Sequence, residues 1–251
     1  MCFLIKIFFF LTTFVHIYFL RLIMSIYDSI LQIPLFKGLS VEAFNKIIEK
    51  YKFDFLSYNK GYAIINAGDE CDSFKFIISG SVHLEYINKK VKIKLSETIT
   101  GPNNIVSNYS IGNNKYPVSV YACDDNTGIL SIDKQDFISI MQEHRVVLLN
   151  YLIDLSRKSQ TPFEAYNQIA NDNVRAKFAF WILYFTSYNS SDIVINAKLR
   201  DIYMFFGAQR SVFNMVLDEM KELGIINFSS KEIFILDRNL LRLYYRQKCE
   251  E

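Results

Sequence analysis

GAQRSVFNMVLDEMKELGII, residues Gly207 to Ile226, reads as a turn followed by an amphipathic helix and a stop. Phe213, Val216, Leu217, Met220 and Leu223 recur at helical spacing and form one apolar stripe, which predicts a helix over residues 210–223 ended by Gly224. A shorter helical stretch precedes it from Ala197, Gly207 makes the tight turn between the two, and two short strands are predicted around Ser229 to Glu232. Helix, turn, helix and hairpin in that order are the grammar of a winged helix-turn-helix. The opposite face of the second helix carries Arg210, Ser211, Asn214, Asp218 and Lys221. Arginine can grip guanine O6 and N7 with two hydrogen bonds, asparagine can do the same to adenine, and Ser211 or Gln209 can reach bases or phosphates. A helix N-terminus also favours phosphate. The candidate DNA-binding residues are therefore Gln209, Arg210, Ser211 and Asn214, together with Lys198, Lys221 and Lys231.

Working back along the chain, Asn173 is the expected N-cap of a helix from Val174 to Phe185, followed by a polar loop over residues 187–192. Before it, Leu148, Leu152, Leu155, Ser159, Pro162, Tyr166 and Ile169 alternate spacings of four and three. That is a heptad-like seam, and a seam beyond a completed β domain points to a second copy of the chain as its partner. Pro162 removes one backbone hydrogen bond, so a bend or restart is expected there. Between about residues 52 and 132 the period falls to two. Val82, Leu84 and Tyr86 alternate with Ser81, His83 and Glu85, and Val91, Ile93 and Leu95 alternate with Lys90, Lys92 and Lys94, giving antiparallel strands with one wet face. Glycines at 61, 68, 80, 101, 112 and 128 punctuate these runs, and a small β-roll or barrel is implied. Ahead of it, Ile26, Ile30 and Ile33 lie on one helical face, Pro34 breaks the pattern, and Ser40 caps a second helix bearing Phe44, Ile47 and Ile48.

The chain has 251 residues, 51% of them hydrophobic, enough to bury a core in each of two modest domains. Its net charge of +2 gives no general polyanion-binding field, so contact with nucleic acid must come from a local patch. Cys2, Cys71, Cys123 and Cys249 are scattered without CxxC spacing, which argues against a zinc site or disulfide framework and fits a reducing compartment. Residues 1–23 stand apart: Ile7 to Leu20 is almost wholly apolar between Lys6 and Arg21, too short for a good membrane helix and without the small residues of a signal-cleavage site. The expectation is an over-extended start, with translation beginning at Met24.

These landmarks resemble the Crp/Fnr family of bacterial transcription regulators over nearly all of Ser25 to Tyr245. IPLFKGLS (Ile33 to Ser40) is similar to the family's opening helices, YNKGYAIINAGDECDSFKFIISGSV (Tyr58 to Val82) to its first roll strands, and Gly207 to Ile226 to its recognition helix and wing entry. The resemblance implies an α+β fold: a cyclic-nucleotide-binding-like jelly roll over residues 24–143, a long dimerisation helix over 144–172, and a DNA-binding winged helix-turn-helix over 173–251. It implies a cytoplasmic homodimer on double-stranded DNA, with RNA polymerase as a further partner and no stable membrane association. Arg210 falls at the family's base-contacting arginine, while Ser211 stands where many members carry glutamate.

Two departures qualify the resemblance. Nucleotide-binding members hold ribose with a Gly-Glu pair and the cyclic phosphate with an Arg-Ser pair, and ungapped counting puts Ile105, Val106, Tyr116 and Pro117 at those places. Only Lys115 lies near the arginine position, and an anionic phosphate buried without a paired cation costs several kcal/mol, so no cyclic nucleotide is expected as effector. The second departure is Tyr203, in the first motif helix where a small residue is usual, with Lys198 at the usual Ser/Thr cap. It motivates an alternative: a ligand-binding or protein-interaction dimer whose helix-turn-helix has degenerated. Iron-sulfur binding lacks its cysteine cluster. His144 is the one candidate for a haem or metal ligand, and without a second ligand it is read as a capping or surface histidine, so neither cofactor nor metal is expected. No GxSxG, P-loop or HExxH pattern suggests catalysis.

Overall fold

The computed structural model describes residues 26–105, 111–112, 114–169 and 173–250. The apolar leader and Val106 lie outside the described residues, and among those described no helix is long and apolar enough to cross a membrane. The first turns are helical over residues 26–32 (α1), and α2 (Val41–Lys50) begins at Ser40, whose hydroxyl accepts from the Ala43 N–H at 3.2 Å. Eight strands follow: β1 (Phe53–Tyr58), β2 (Ala63–Ile65), β3 (Ser73–Ser79), β4 (Ser81–Asn88), β5 (Ile93–Thr100), β6 (Asn103–Ile105), β7 (Ser119–Ala122) and β8 (Thr127–Asp133). Then come α3 (Lys134–Glu143), α4 (Arg145–Ile169), α5 (Val174–Phe185), β9 (Ser191–Asn196), α6 (Leu199–Phe205), α7 (Arg210–Glu222), β10 (Ile226–Phe228), β11 (Glu232–Ile235) and α8 (Arg238–Glu250). The fold is α+β, with an antiparallel roll followed by a helical region and a winged helix-turn-helix.

One sheet of the roll runs β1-β8-β3-β6. Its period-two pattern splits β3 between two cores: Phe74, Phe76 and Ile78 face the helices, and Ile77 faces the roll interior. On the helical side Phe137 of α3 meets Phe74 at 4.2 Å between ring centroids and Phe36 at 6.0 Å, and Phe36 meets Phe76 at 5.3 Å. This aromatic cluster, with Ile30, Ile33 and Phe44, clamps α1 to α3 onto the sheet. Gly101 permits another close approach, since a Cβ there would lie 2.5 Å from Ile77 Cγ2.

The other sheet has seven strands in the order β10-β11-β9-β5-β4-β7-β2 and continues from the roll into the C-terminal module. Roll strand β5 pairs with β4 on one edge and with β9 on the other, at Lys94↔Asn196, Leu95↔Ile195, Ser96↔Val194 and Thr98↔Ser191. Ile93 and Leu95, the apolar half of the alternation expected to line a half-wet roll strand, are buried in the C-terminal core with Phe178, Ile195, Phe213 and Leu217. The loop expected over residues 187–192 yields to strand at Ser191 because β5 supplies that ladder.

Helix α4 is assigned unbroken from Arg145 to Ile169, so the restart expected at Pro162 does not occur. Its inner face is Val147 and Tyr151, packed on the roll's helical core. The seam residues Leu148, Leu152 and Leu155 are exposed, as are Val146, Leu149 and Ile153 beside them.

Replacing Phe137 with alanine is expected to cost about 3–5 kcal/mol, because the ring is fully buried among three other phenylalanines that cannot all close the gap. Urea unfolding of wild type and F137A, followed by far-UV circular dichroism, checks this.

Candidate nucleic-acid interface

Three helices and the wing position α7. Asn173 caps α5, its side-chain oxygen accepting from Arg175 N (3.1 Å) and Ala176 N (3.3 Å) while its amide nitrogen donates to the Lys248 carbonyl (2.8 Å). Phe178 on α5 packs edge-on against Phe213 of α7 at 5.1 Å and Phe206 at 5.5 Å, and Trp181 meets Phe206 at 5.7 Å. The turn between α6 and α7 is made at Gly207, whose φ of +63° is a region that side chains disfavour. The Ala208 N–H donates to the Tyr203 carbonyl at 2.9 Å, closing the turn. Tyr203 is partly buried against the same core, so the aromatic residue is packed into the motif rather than excluded from it.

Along α7, Phe213, Val216, Leu217 and Met220 are buried as the stripe requires. Leu223 is the exception. It is the C-cap and is 54% exposed, because the chain turns away at Gly224 (φ +70°) before the stripe completes another turn. Gln209 is the N-cap of α7 and makes no side-chain cap hydrogen bond, leaving first-turn N–H groups available to an outside acceptor. Gln209, Arg210 and Ser211 are exposed and Asn214 is half-buried, so all four lie on the first turns of one helix. Lys198 is the exposed N-cap of α6 and also makes no side-chain cap bond. Lys221, near the far end of α7, lies over the Phe228 ring at 5.4 Å, tying the helix to the wing. Lys231 is exposed in the turn between β10 and β11, where its N–H and that of Glu232 donate to Ser229 Oγ. The seven residues thus fall at three places: Lys198 at the start of α6, Lys231 in the wing turn, and the other five on α7 or its cap.

Glu219 fixes α7 against its neighbours. Arg175 Nε donates to its carboxylate at 2.6 Å and Lys248 Nζ lies at 3.5 Å, joining α5, α7 and α8. Partial burial pushes this carboxyl upward, but the Arg175 hydrogen bond and the two positive charges outweigh it and hold the group below its ordinary value.

Inside the roll Tyr116, Ser73 and Lys75 satisfy one another. Tyr116 is buried, and its hydroxyl donates to the Ser73 carbonyl at 2.7 Å. Lys75 Nζ donates to Ser73 Oγ at 2.5 Å and to Tyr116 Oη at 3.3 Å and lies over the Tyr116 ring. Burial pushes the Lys75 ammonium down and the Tyr116 phenol up. Lys115 is paired with Glu70 across an isolated β-bridge, while Asp69 shapes the neighbouring turn by accepting from Asn66 Nδ2 at 3.0 Å. His144 is the C-cap of α3.

Residues 55–144 match the family described as the cyclic nucleotide-binding domain. No curated protein sequence matches the chain. Among solved structures it is similar to the catabolite activator protein of Thermus thermophilus, at 19% identity over 86% of this chain and 99% of that one, with a TM-score of 0.47. It is also similar to DNR of Pseudomonas aeruginosa (16% identity, 87% and 96% covered, TM-score 0.42) and to a CRP-family transcriptional regulator of Thermus thermophilus (12%, 76% and 96%, 0.41). Within the cyclic nucleotide-binding domain, Ile105 is buried in β6 and Tyr116 is buried at the position counted for the phosphate-binding arginine.

Sequence reasoning did not find Glu97, Ser187 and Arg238, which join the domain to the helix-turn-helix. Arg238 donates to the Leu183, Thr186 and Tyr188 carbonyls, closing the end of α5 and shaping the loop that presents Ser187 to Glu97. No local pattern marks them, because their partners are about 50 and 90 residues away in the chain.

The lowered Glu219 carboxyl contributes stability that is present above the ordinary value of 4.5 and is lost as pH falls through the lowered one. Glu219→Gln is expected to be less stable by about 1 kcal/mol at pH 7, after allowance for solvent screening, and the deficit is expected to fade in acid below that value. Thermal melts of both proteins from pH 7 to 3 check the sign and the window.

Proposed function

We propose that the chain is a dimeric, sequence-specific DNA-binding transcription regulator of the Crp/Fnr type, working in the cytoplasm with RNA polymerase as its downstream partner. The observation that carries this is the first turn of α7. Arg210 and Ser211 are exposed at an uncapped helix end set by a tight turn, and Lys231 in the wing turn and Lys198 at the start of α6 are exposed as well. Among the described residues the Arg210 side chain has no hydrogen bond or ion pair of its own, so it is free to take a base edge. Dimerisation is supported by the exposed run Val146, Leu148, Leu149, Leu152, Ile153 and Leu155 along α4, an apolar stripe of the kind that buries itself against a copy. A twofold dimer sets two recognition helices about one DNA turn apart, which matches a palindromic site.

The effector in this reading is not a cyclic nucleotide. The position counted for the phosphate-binding arginine holds Tyr116, whose hydroxyl is already bonded to the Ser73 carbonyl, and residues 52–133 contain no arginine. Calorimetric titration with cyclic AMP and cyclic GMP is expected to give no heat of binding at micromolar concentration.

Arg210→Ala is expected to leave the melting temperature and the dimer unchanged, since the side chain is exposed. Each bidentate arginine–guanine pair contributes about 1–3 kcal/mol of discrimination, so two in a dimer give on the order of a hundredfold loss of specificity. Genome-wide mapping of bound sites, then titration of wild type and variant against a mapped duplex and a scrambled one at fixed salt, tests this. An unchanged ratio between the duplexes refutes the assignment of α7 as the recognition helix. Lys221→Ala is expected to weaken both duplexes alike and to reduce the salt slope by about one per contact.

A further inference from the structure

The face of β5 that carries Ile93, Leu95, Glu97 and Ile99 crosses from one core into another. Ile99 lies in the roll interior with Val82 and Leu84, whereas Leu95 and Ile93 lie in the core of the helix-turn-helix module. Glu97 sits between them and is fully buried. Across the β4 ladder it is level with Leu84 of the roll interior, and the β5–β9 register slips between Ser96 and Thr98, at Glu97 itself. The extra residue of this bulge lies on β9, where Ile193 and Asp192 (φ +47°) stand against Glu97 alone. Here the carboxylate accepts from the Ser187 N–H at 2.6 Å, from Ser187 Oγ at 3.3 Å and from the Tyr86 hydroxyl at 2.8 Å. The Arg238 guanidinium adds a positive charge within electrostatic reach. Tyr86 packs against both cores, so the group that holds Glu97 from the roll side feels the roll interior directly.

Each part has strand pairing of its own apart from this joint, although Ile93 and Leu95 of β5 also help fill the C-terminal core. The wing sheet is already three-stranded as β9-β11-β10, and β5 is already paired to β4 over eight positions. What the joint adds is the covering of two strand edges, held by four residue pairs and one buried polar cluster. A buried carboxylate that loses its donors is costly, so the Glu97 cluster favours the paired arrangement.

We propose that the β5–β9 ladder is a latch holding the helix-turn-helix module to the roll, that Glu97 is its positioning residue, and that repacking of the roll interior around Leu84 and Tyr86 opens it. The regulatory part of this rests on the DNA-binding reading above, whereas the latch itself does not.

The test uses the full chain and the variants Glu97→Ala, Glu97→Gln and Tyr86→Phe, the last keeping the ring in both cores and removing one donor. Hydrogen exchange read by mass spectrometry is expected to show amides of residues 191–196 exchanging at least tenfold faster in Glu97→Ala. The effect is expected to be smaller in Glu97→Gln and Tyr86→Phe, with β3 and β8 within twofold of wild type throughout. Unchanged exchange at 191–196 in all three variants overturns the latch. An equal acceleration of β3 and β8 in all three also overturns it, since Glu97 is then a general stabiliser only. Titration against a mapped duplex is expected to show affinity shifted at least fivefold in Glu97→Ala, and an unshifted affinity with accelerated exchange overturns the regulatory role. Failure of wild type to discriminate a mapped duplex from a scrambled one refutes the DNA-binding reading, and the exchange result still decides the latch.

Discussion

Strand β5 is hydrogen-bonded on both edges, to β4 of the roll and to β9 of the C-terminal module, and the arrangement of everything beyond the roll depends on that double pairing. A strand with two partners offers one face to a continuous core, and along β5 this face passes from the roll interior to the helix-turn-helix in the space of four alternating residues. The carboxylate of Glu97 interrupts it, and the interruption is tolerated because Ser187 and Tyr86 bring three donors to the same point. Arg238 makes that possible at one remove, by gathering the carbonyls after α5 and fixing the loop from which the Ser187 N–H is directed.

The two ends of the molecule are built by different means. At the roll, Phe36, Phe74, Phe76 and Phe137 fill the space between sheet and helices, a rigid and wholly apolar support. At the helix-turn-helix, Phe178, Phe206 and Phe213 set the helix angles, while the polar tie of Arg175, Glu219 and Lys248 joins α5, α7 and α8. The fully buried phenylalanines serve these two cores. Exposed polar residues stand at the uncapped end of α7, in the wing turn and at the start of α6, and an exposed apolar run lies along α4.

Tyr203 illustrates how a motif packs around a local anomaly. A bulky ring in the first helix predicts crowding, yet the ring finds room at the edge of the core while the turn at Gly207 keeps its hydrogen bonds. Leu223 illustrates the converse: helical periodicity assigns it to the buried stripe, but the helix ends one residue earlier and the side chain is left in solvent.

The sequence by itself determined the opening helices, the strand-rich roll, the helix-turn-helix with its hairpin, the Ser40 and Asn173 caps, the α7 stripe from Phe213 to Met220 and the polar turn at Arg210. All of these depend on neighbours within a few residues, where periodicity and capping chemistry act directly. Only the tertiary structure decided that Ile93 and Leu95 belong to the second core, that residues 191–196 form a strand against the roll, that Tyr116 and Lys75 satisfy one another inside it, and that Glu97 is buried between the two parts. The alternation of apolar and polar residues marks a strand but is the same whichever strand lies beside it. Which edge meets which is settled by packing between segments about a hundred residues apart, and no local pattern records that choice.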